Sequence, residues 1–138
     1  MNKTITVETI VNNTIDKVWE SWNDPEAINT WAHASDDWEC TNAKNDLKVG
    51  GRFSYTMGAK DKSTSFVMSG VYTIVEPMTR IAYTMEDGRV VEITFTETDG
   101  GVKVAETFDM EHENTEELQR SGWQAILDNF KSYAENNK

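Results

Sequence analysis

The spacing of apolar side chains changes period along the chain, and each change marks a different element. Residues 3 to 11, KTITVETIV, alternate and are rich in β-branched types, which predicts a strand. Ile15, Val18, Trp19 and Trp22 share one helical face. Thr14 can cap that helix, with Asp16 in its first turn, and Asp24 followed by Pro25 opens a second short helix ending near Trp31. From Trp38 to Met110 the period becomes two. Val49-Gly50-Gly51, Gly58 to Ser63, Glu76 to Thr79, Asp87-Gly88 and Asp99-Gly100-Gly101 interrupt it. The Asp-Gly pairs suit tight hairpins because they tolerate positive φ. Six strands fit this stretch. Phe53, Tyr55 and Met57 form one inward row, Phe66, Met68, Gly70, Tyr72 and Ile74 a second, and Val91, Ile93 and Phe95 a third.

The helical period returns at the end. Asn114 with Glu117 three residues on has the spacing of a cap, predicting a last helix from Thr115 to Asn136, roughly 33 Å long. Trp123, Ile126, Leu127 and Phe130 stack on one of its faces. Gly122 sits inside the pattern, where glycine costs about 1 kcal/mol relative to alanine. The order is β-αα-β6-α, an α+β arrangement. A curved antiparallel sheet of about seven strands must wrap around the long C-terminal helix, the element able to cover its apolar face. Length and the lack of a linker predict one domain spanning residues 1–138.

Composition narrows the functional classes. Five Trp, five Phe and four Tyr supply bulk for a core, so disorder is not expected. A formal charge of -11 repels phosphate backbones and anionic lipid surfaces, which argues against nucleic acid. Acidic side chains such as Glu111, Glu113, Glu116 and Glu117 fall where a solvated face is expected. An acidic docking surface for a basic partner is the alternative. No apolar run is long enough to span a membrane, and MNKTITVETI lacks a signal peptide's apolar region. A cytoplasmic protein, monomer or homodimer, is expected. Cys40 is alone, so neither an intrachain disulfide nor a cysteine cluster can form.

Three local patterns, VWESWNDPEAINTW at 18 to 31, DLKVGGRFSY at 46 to 55 with GVYTIVEP at 70 to 77, and ETFDMEHENTEELQRSGWQAILDNF at 106 to 130, resemble the START-like (SRPBCC) superfamily with its helix-grip fold. Within it they resemble domains related to the C-terminal domain of the activator of the heat-shock-protein-90 ATPase. ASDDWEC at 34 to 40 is similar to a bacterial branch of small stand-alone domains. The resemblance implies a deep, mostly apolar cavity between sheet and long helix, suited to a lipid, polyketide or flavonoid-like molecule, and no cofactor. It also implies two alternatives: a cyclase or hydrolase working through a cavity carboxylate, or a stress-response co-chaperone acting on a chaperone ATPase.

The expected cavity wall draws on the inward rows: Phe53, Tyr55, Met57, Phe66, Met68, Tyr72, Tyr83, Phe95 and Phe108 from the strands. Trp123 and Leu127 would come from the long helix, and Trp31 and Trp38 from either side of the first loop. Such rows ordinarily make core; the resemblance makes the set a candidate pocket. Glu106 interrupts Val102, Val104, Phe108 and Met110 on one strand face. Buried there it must be hydrogen-bonded, matched by a cation such as Arg52 or Arg120, or protonated through a raised pKa; otherwise it reaches solvent at a strand end. Glu106 with Tyr55, Tyr72 or Tyr83 is the set a catalytic reading would use. His33, Asp36 and Asp37 match no metal-ligand spacing and read as a solvated loop. Cys40 reads as a small buried hydrophobe.

Overall fold

In the computed structural model, which describes residues 3–136, every element follows from the local chemistry just given. Strand β1 is Thr4–Val11, followed by helices α1 (Ile15–Asn23) and α2 (Pro25–Trp31). Thr14 Oγ1 accepts from Lys17 N and Asp24 Oδ2 from Ala27 N, so each short helix is held at its N-terminus. Strands β2 (Trp38–Asn45), β3 (Arg52–Ala59), β4 (Ser65–Glu76), β5 (Arg80–Met85), β6 (Val90–Thr98) and β7 (Gly101–Asp109) form the meander, and α3 (Glu116–Asn136) closes the chain. All seven strands join one antiparallel sheet in the order β1-β7-β6-β5-β4-β3-β2. The first strand thus returns to pair with the last, and the curled sheet with its long helix is the expected helix-grip fold.

Two irregularities bend the sheet. Register shifts occur in β2 between Thr41 and Lys44, where Asn42 has φ 58°, and in β4 between Tyr72 and Ile74. Such bulges increase local twist and re-aim side chains. The second corrects the expected inward row of β4. Tyr72 lies opposite Tyr83, but beyond the bulge Val75 lies opposite Ile81, so Val75 rather than Ile74 packs against the core. A sequence with unbroken alternation gives no sign of that extra residue.

Helix α3 lies along β1, an edge strand. Arg120 donates to Thr6 O, Gln124 to Glu8 O and Lys131 to Ile10 O, so alternate edge carbonyls are met by three side chains of the helix. Its first turn is held by Thr115, whose Oγ1 accepts from Leu118 N at 3.1 Å. The expected Asn114 cap is not used; Asn114 instead bonds the Glu111 carboxylate. Gln119, buried beneath the preceding loop, accepts from Glu111 N and donates to Glu111 O and Asn114 O. That side chain fixes the path from β7 into α3.

The tightest packing is where α1 and the C-terminal half of α3 meet β1, β6 and β7. Val11, Val18, Val91, Ile93, Val104, Leu127, Phe130 and Ala134 have no accessible surface there. Trp22 and Trp31 both pack edge-on against Phe130, at 4.8 and 5.0 Å between ring centroids.

Candidate functional site

Towards β2, β3 and β4 the helix stands off from the sheet. A cavity of about 610 Å³ fills the gap, within the usual range for small-molecule pockets. The α1–α2 hairpin closes one end with Trp22, Ile28 and Trp31. Trp31 is fixed by its indole N–H, which donates to Ser21 O at 2.9 Å.

The sheet contributes an aromatic wall. Phe53 packs edge-on to Tyr83 at 4.6 Å and lies near Tyr72 and Tyr55. Gly70, opposite Phe53 in the ladder, makes this possible. A Cβ there would come 2.8 Å from the Phe53 ring and 2.9 Å from Thr84 O. Met57, Met68, Ile81 and Met85 fill the spaces between rings. Helix α3 supplies Gly122, Trp123 and Ile126 to the opposite wall. Trp123 is held flat against Phe108, centroids 3.8 Å apart and planes 11° apart. At the mouth Trp38 meets Phe66, which is half exposed beside exposed Val67.

Most of the expected wall is therefore brought together: Trp31, Trp38, Phe53, Tyr55, Met57, Phe66, Met68, Tyr72, Tyr83, Glu106 and Trp123 all face the cavity. Phe95, Phe108 and Leu127 do not. Phe95 is buried under α1 against Trp19 and Trp22, Phe108 lies behind Trp123, and Leu127 belongs to the packed half of α3. Sharing a strand parity or helix face puts a residue inside the fold, but which inward residues meet the cavity depends on where α3 touches the sheet. Ile81, Met85, Ile28 and Trp22 were missed, although Ile81 and Met85 sit at period two from Tyr83. The hairpin residues Glu86, Asp87 and Arg89 at the mouth carry no such signal.

Polar groups in this wall are few. Glu106, 7% exposed, pairs in register with Val7 and Ile93 and aims into the cavity. The two cations proposed for it are engaged elsewhere: Arg52 with Glu86 at 2.9 Å, Arg120 with Glu116 at 3.1 Å. No hydrogen bond or ion pair reaches the Glu106 carboxyl among the described residues. Of the three routes open to a buried carboxylate, the surroundings favour protonation: burial pushes its pKa up from 4.5 to about 8. The Tyr55 and Tyr83 hydroxyls also lack a hydrogen-bond partner among the described residues. Both pKa values are raised well above the usual phenol range, by burial first, with Glu106's charge also contributing. Tyr72 differs, since its hydroxyl donates to Asn45 Oδ1 and is engaged by the protein itself.

At the mouth Arg89 pairs with Asp87 at 2.8 Å and approaches Glu111 at 3.9 Å, while Glu86 accepts from Arg52 and Ser69. The loop carrying His33, Asp36 and Asp37 borders this region through Ala34 and Ser35. Cys40 is buried beside Asn29, and burial pushes its thiol up to about 11, which makes it a poor nucleophile.

Comparison with known proteins follows this geometry. The family described as "Activator of Hsp90 ATPase homolog 1-like protein" matches residues 12–135. The solution structure of an AHSA1-like protein from Aeromonas hydrophila is 46% identical, with 98% of this chain and 94% of that one covered and a TM-score of 0.92. A solution structure from Cytophaga hutchinsonii is 52% identical over 97% of this chain and 93% of that one, with a TM-score of 0.84. A crystal structure from Chromobacterium violaceum, 21% identical over 96% and 98% of the two chains, has a TM-score of 0.87 and shares the fold. Among curated proteins none matches the chain.

Proposed function

Because the chain belongs to the Activator of Hsp90 ATPase homolog 1-like family, START-like proteins that commonly bind hydrophobic ligands, we propose that sheet, hairpin helices and α3 act as one unit that binds a small hydrophobic molecule in the cavity. The observation that carries this reading is the cavity itself: about 610 Å³ of aromatic- and methionine-lined space. Its wall holds a buried carboxyl and two hydroxyls that have no hydrogen-bond partner among the described residues. Desolvation supplies the affinity, at about 25 cal/mol per Å² of apolar surface buried. The unpartnered groups choose orientation, and the methionines let the wall repack around different shapes.

The test is to isolate the protein from its own host and examine it by native mass spectrometry for a retained small molecule. A thermal-shift screen of lipids, polyketides and flavonoids complements it. A ligand at about 100 times its Kd stabilises by about 2.7 kcal/mol. A protein isolated empty and stabilised by nothing in the screen overturns the reading. Stimulation of a chaperone ATPase by ligand-free protein would instead locate the function on the surface.

One observation favours catalysis in the same cavity. A carboxyl with a pKa of about 8 beside two unengaged phenols can donate or accept a proton near neutral pH. Tyr83 rather than Tyr72 would complete this set with Tyr55, because Tyr72 is held by Asn45. Turnover of a bound compound that is lost in Glu106→Gln while binding persists would establish it.

A further inference from the structure

We propose that the molecule held in this cavity is a lipophilic organic cation, an amine protonated at neutral pH, whose ammonium group sits against Glu106 among the faces of the surrounding aromatic rings. The inference rests on the binding reading above and assigns the ligand's charge.

Inside, β7 contributes Glu106, and β3, β4 and β5 contribute the phenols Tyr55, Tyr72 and Tyr83; α3 contributes Gly122, Trp123 and Ile126, which do not titrate. At the mouth stand Glu86, Asp87, Glu111 and Arg89. Arg89 is the one cation lining the cavity among the described residues, and it is already paired with Asp87 and near Glu111. An anionic ligand such as a fatty acid would therefore find no free cation in the wall, and ionisation of Glu106 beside it would set two carboxylates together. A purely apolar ligand would leave Glu106, Tyr55 and Tyr83 covered and unpaired, a cost of desolvation with no return.

An ammonium group resolves each of these conflicts. It donates to the Glu106 carboxylate and neutralises its charge, leaving its remaining N–H groups for the Tyr55 and Tyr83 hydroxyl oxygens that line the same cavity. The ring faces of Phe53, Tyr83 and Trp123 attract a desolvated cation. A net charge of -11 draws cations towards the molecule as a whole. The proton balance is explicit. Free Glu106 holds its proton near neutrality; on binding, that proton leaves for solvent and the ammonium keeps its own. Binding an amine thus releases close to one proton per ligand at neutral pH.

Three probes of one shape decide the matter: naphthylethylamine, naphthylethanol and naphthylacetate, measured by isothermal titration calorimetry at neutral pH in two buffers of different ionisation enthalpy. The amine should bind about tenfold or more tighter than the alcohol, with the acetate weakest and proton release confined to the amine. In Glu106→Gln the amine should fall to the alcohol's affinity and release no proton. A circular-dichroism spectrum and a cooperative thermal melt matching the parent's show that the variant is folded. Acetate binding as tightly as the amine, or an amine-to-alcohol ratio unchanged by Glu106→Gln, overturns the inference while leaving the cavity reading standing. Failure of all three probes to bind overturns both.

Discussion

Gly122 lies inside a 21-residue helix and faces the cavity beside Trp123. A Cβ built at this position has nothing within 4 Å apart from its own helix backbone and chain neighbours. The glycine is therefore not demanded by a close approach of strand or helix, and its conformational cost of about 1 kcal/mol is unrelieved by packing. Gly122→Ala and Gly122→Leu should both stabilise the free protein by about 1 kcal/mol, raising Tm by roughly 3–4 °C for a chain of this size. Their effects on ligand should diverge. The four carbons of leucine project into space a ligand would use. Displacing an equal number of buried ligand methylenes at about 0.8 kcal/mol each costs about 3 kcal/mol, on the order of a hundredfold in Kd. Alanine displaces one, for a loss of about fourfold. Urea denaturation of the free variants and calorimetric titration with naphthylethanol measure the two quantities separately. If Gly122→Leu lost stability and affinity together, the glycine would be a packing device and the reasoning wrong. Unchanged affinity would show that the ligand does not use this wall.

Other substitutions test other parts of the same picture. The folded Glu106 carboxyl holds its proton to about pH 8, whereas its ordinary value is 4.5, so the folded state binds the extra proton between those limits. Its contribution is full below the unfolded value and is lost as pH rises to the folded one, on the order of 3 kcal/mol by neutrality. Glu106→Gln should therefore gain on the parent with rising pH in urea melts, and a difference that stays flat would refute the burial. Tyr72→Phe leaves Asn45 Oδ1 without its donor and should cost about 1 kcal/mol. Tyr83→Phe removes a hydroxyl with no hydrogen-bond partner among the described residues and should change stability by less than about 0.5 kcal/mol; equal losses in thermal denaturation would contradict the assignment of free and engaged phenols. Leu127→Ala, in the fully packed half of α3, should cost roughly 2–5 kcal/mol. Met68→Ala on the cavity wall should cost much less, and a reversal in chemical denaturation would mean that the packed and open regions have been confused.

Much of the fold is legible in the sequence, and the reasons are local. Asp24-Pro25, Thr14 and the glycine-marked turns act over a few residues, so the short helices and the meander follow from sequence. Glu106 stood out because a carboxylate broke an otherwise apolar row. The errors share a different origin. A bulge adds one residue without altering the apolar pattern, so alternation alone turns Ile74 inward; parity reports which side a residue faces and not what covers it, so Phe95, Phe108 and Leu127 share the inward side without lining the cavity. Arg89, Asp87 and Glu86 reach the mouth through a hairpin whose position depends on the curl of the whole sheet.

The same contrast explains how one small fold can be both stable and hollow. On the β1, β6 and β7 side α3 is tied to an edge strand by Arg120, Gln124 and Lys131, and its Leu127, Phe130 and Ala134 are sealed from solvent. On the β2, β3 and β4 side it presents Gly122, Trp123 and Ile126 to open space, and the buried acid Glu106 faces the gap from the sheet. Packing density is what core substitutions disturb, so changes on the first side should be read in stability and changes on the second in ligand. Trp123 belongs to both. Its stack on Phe108 anchors it to the packed half while its other face meets the cavity, so Trp123→Ala should lower stability and affinity together where Gly122→Leu separates them.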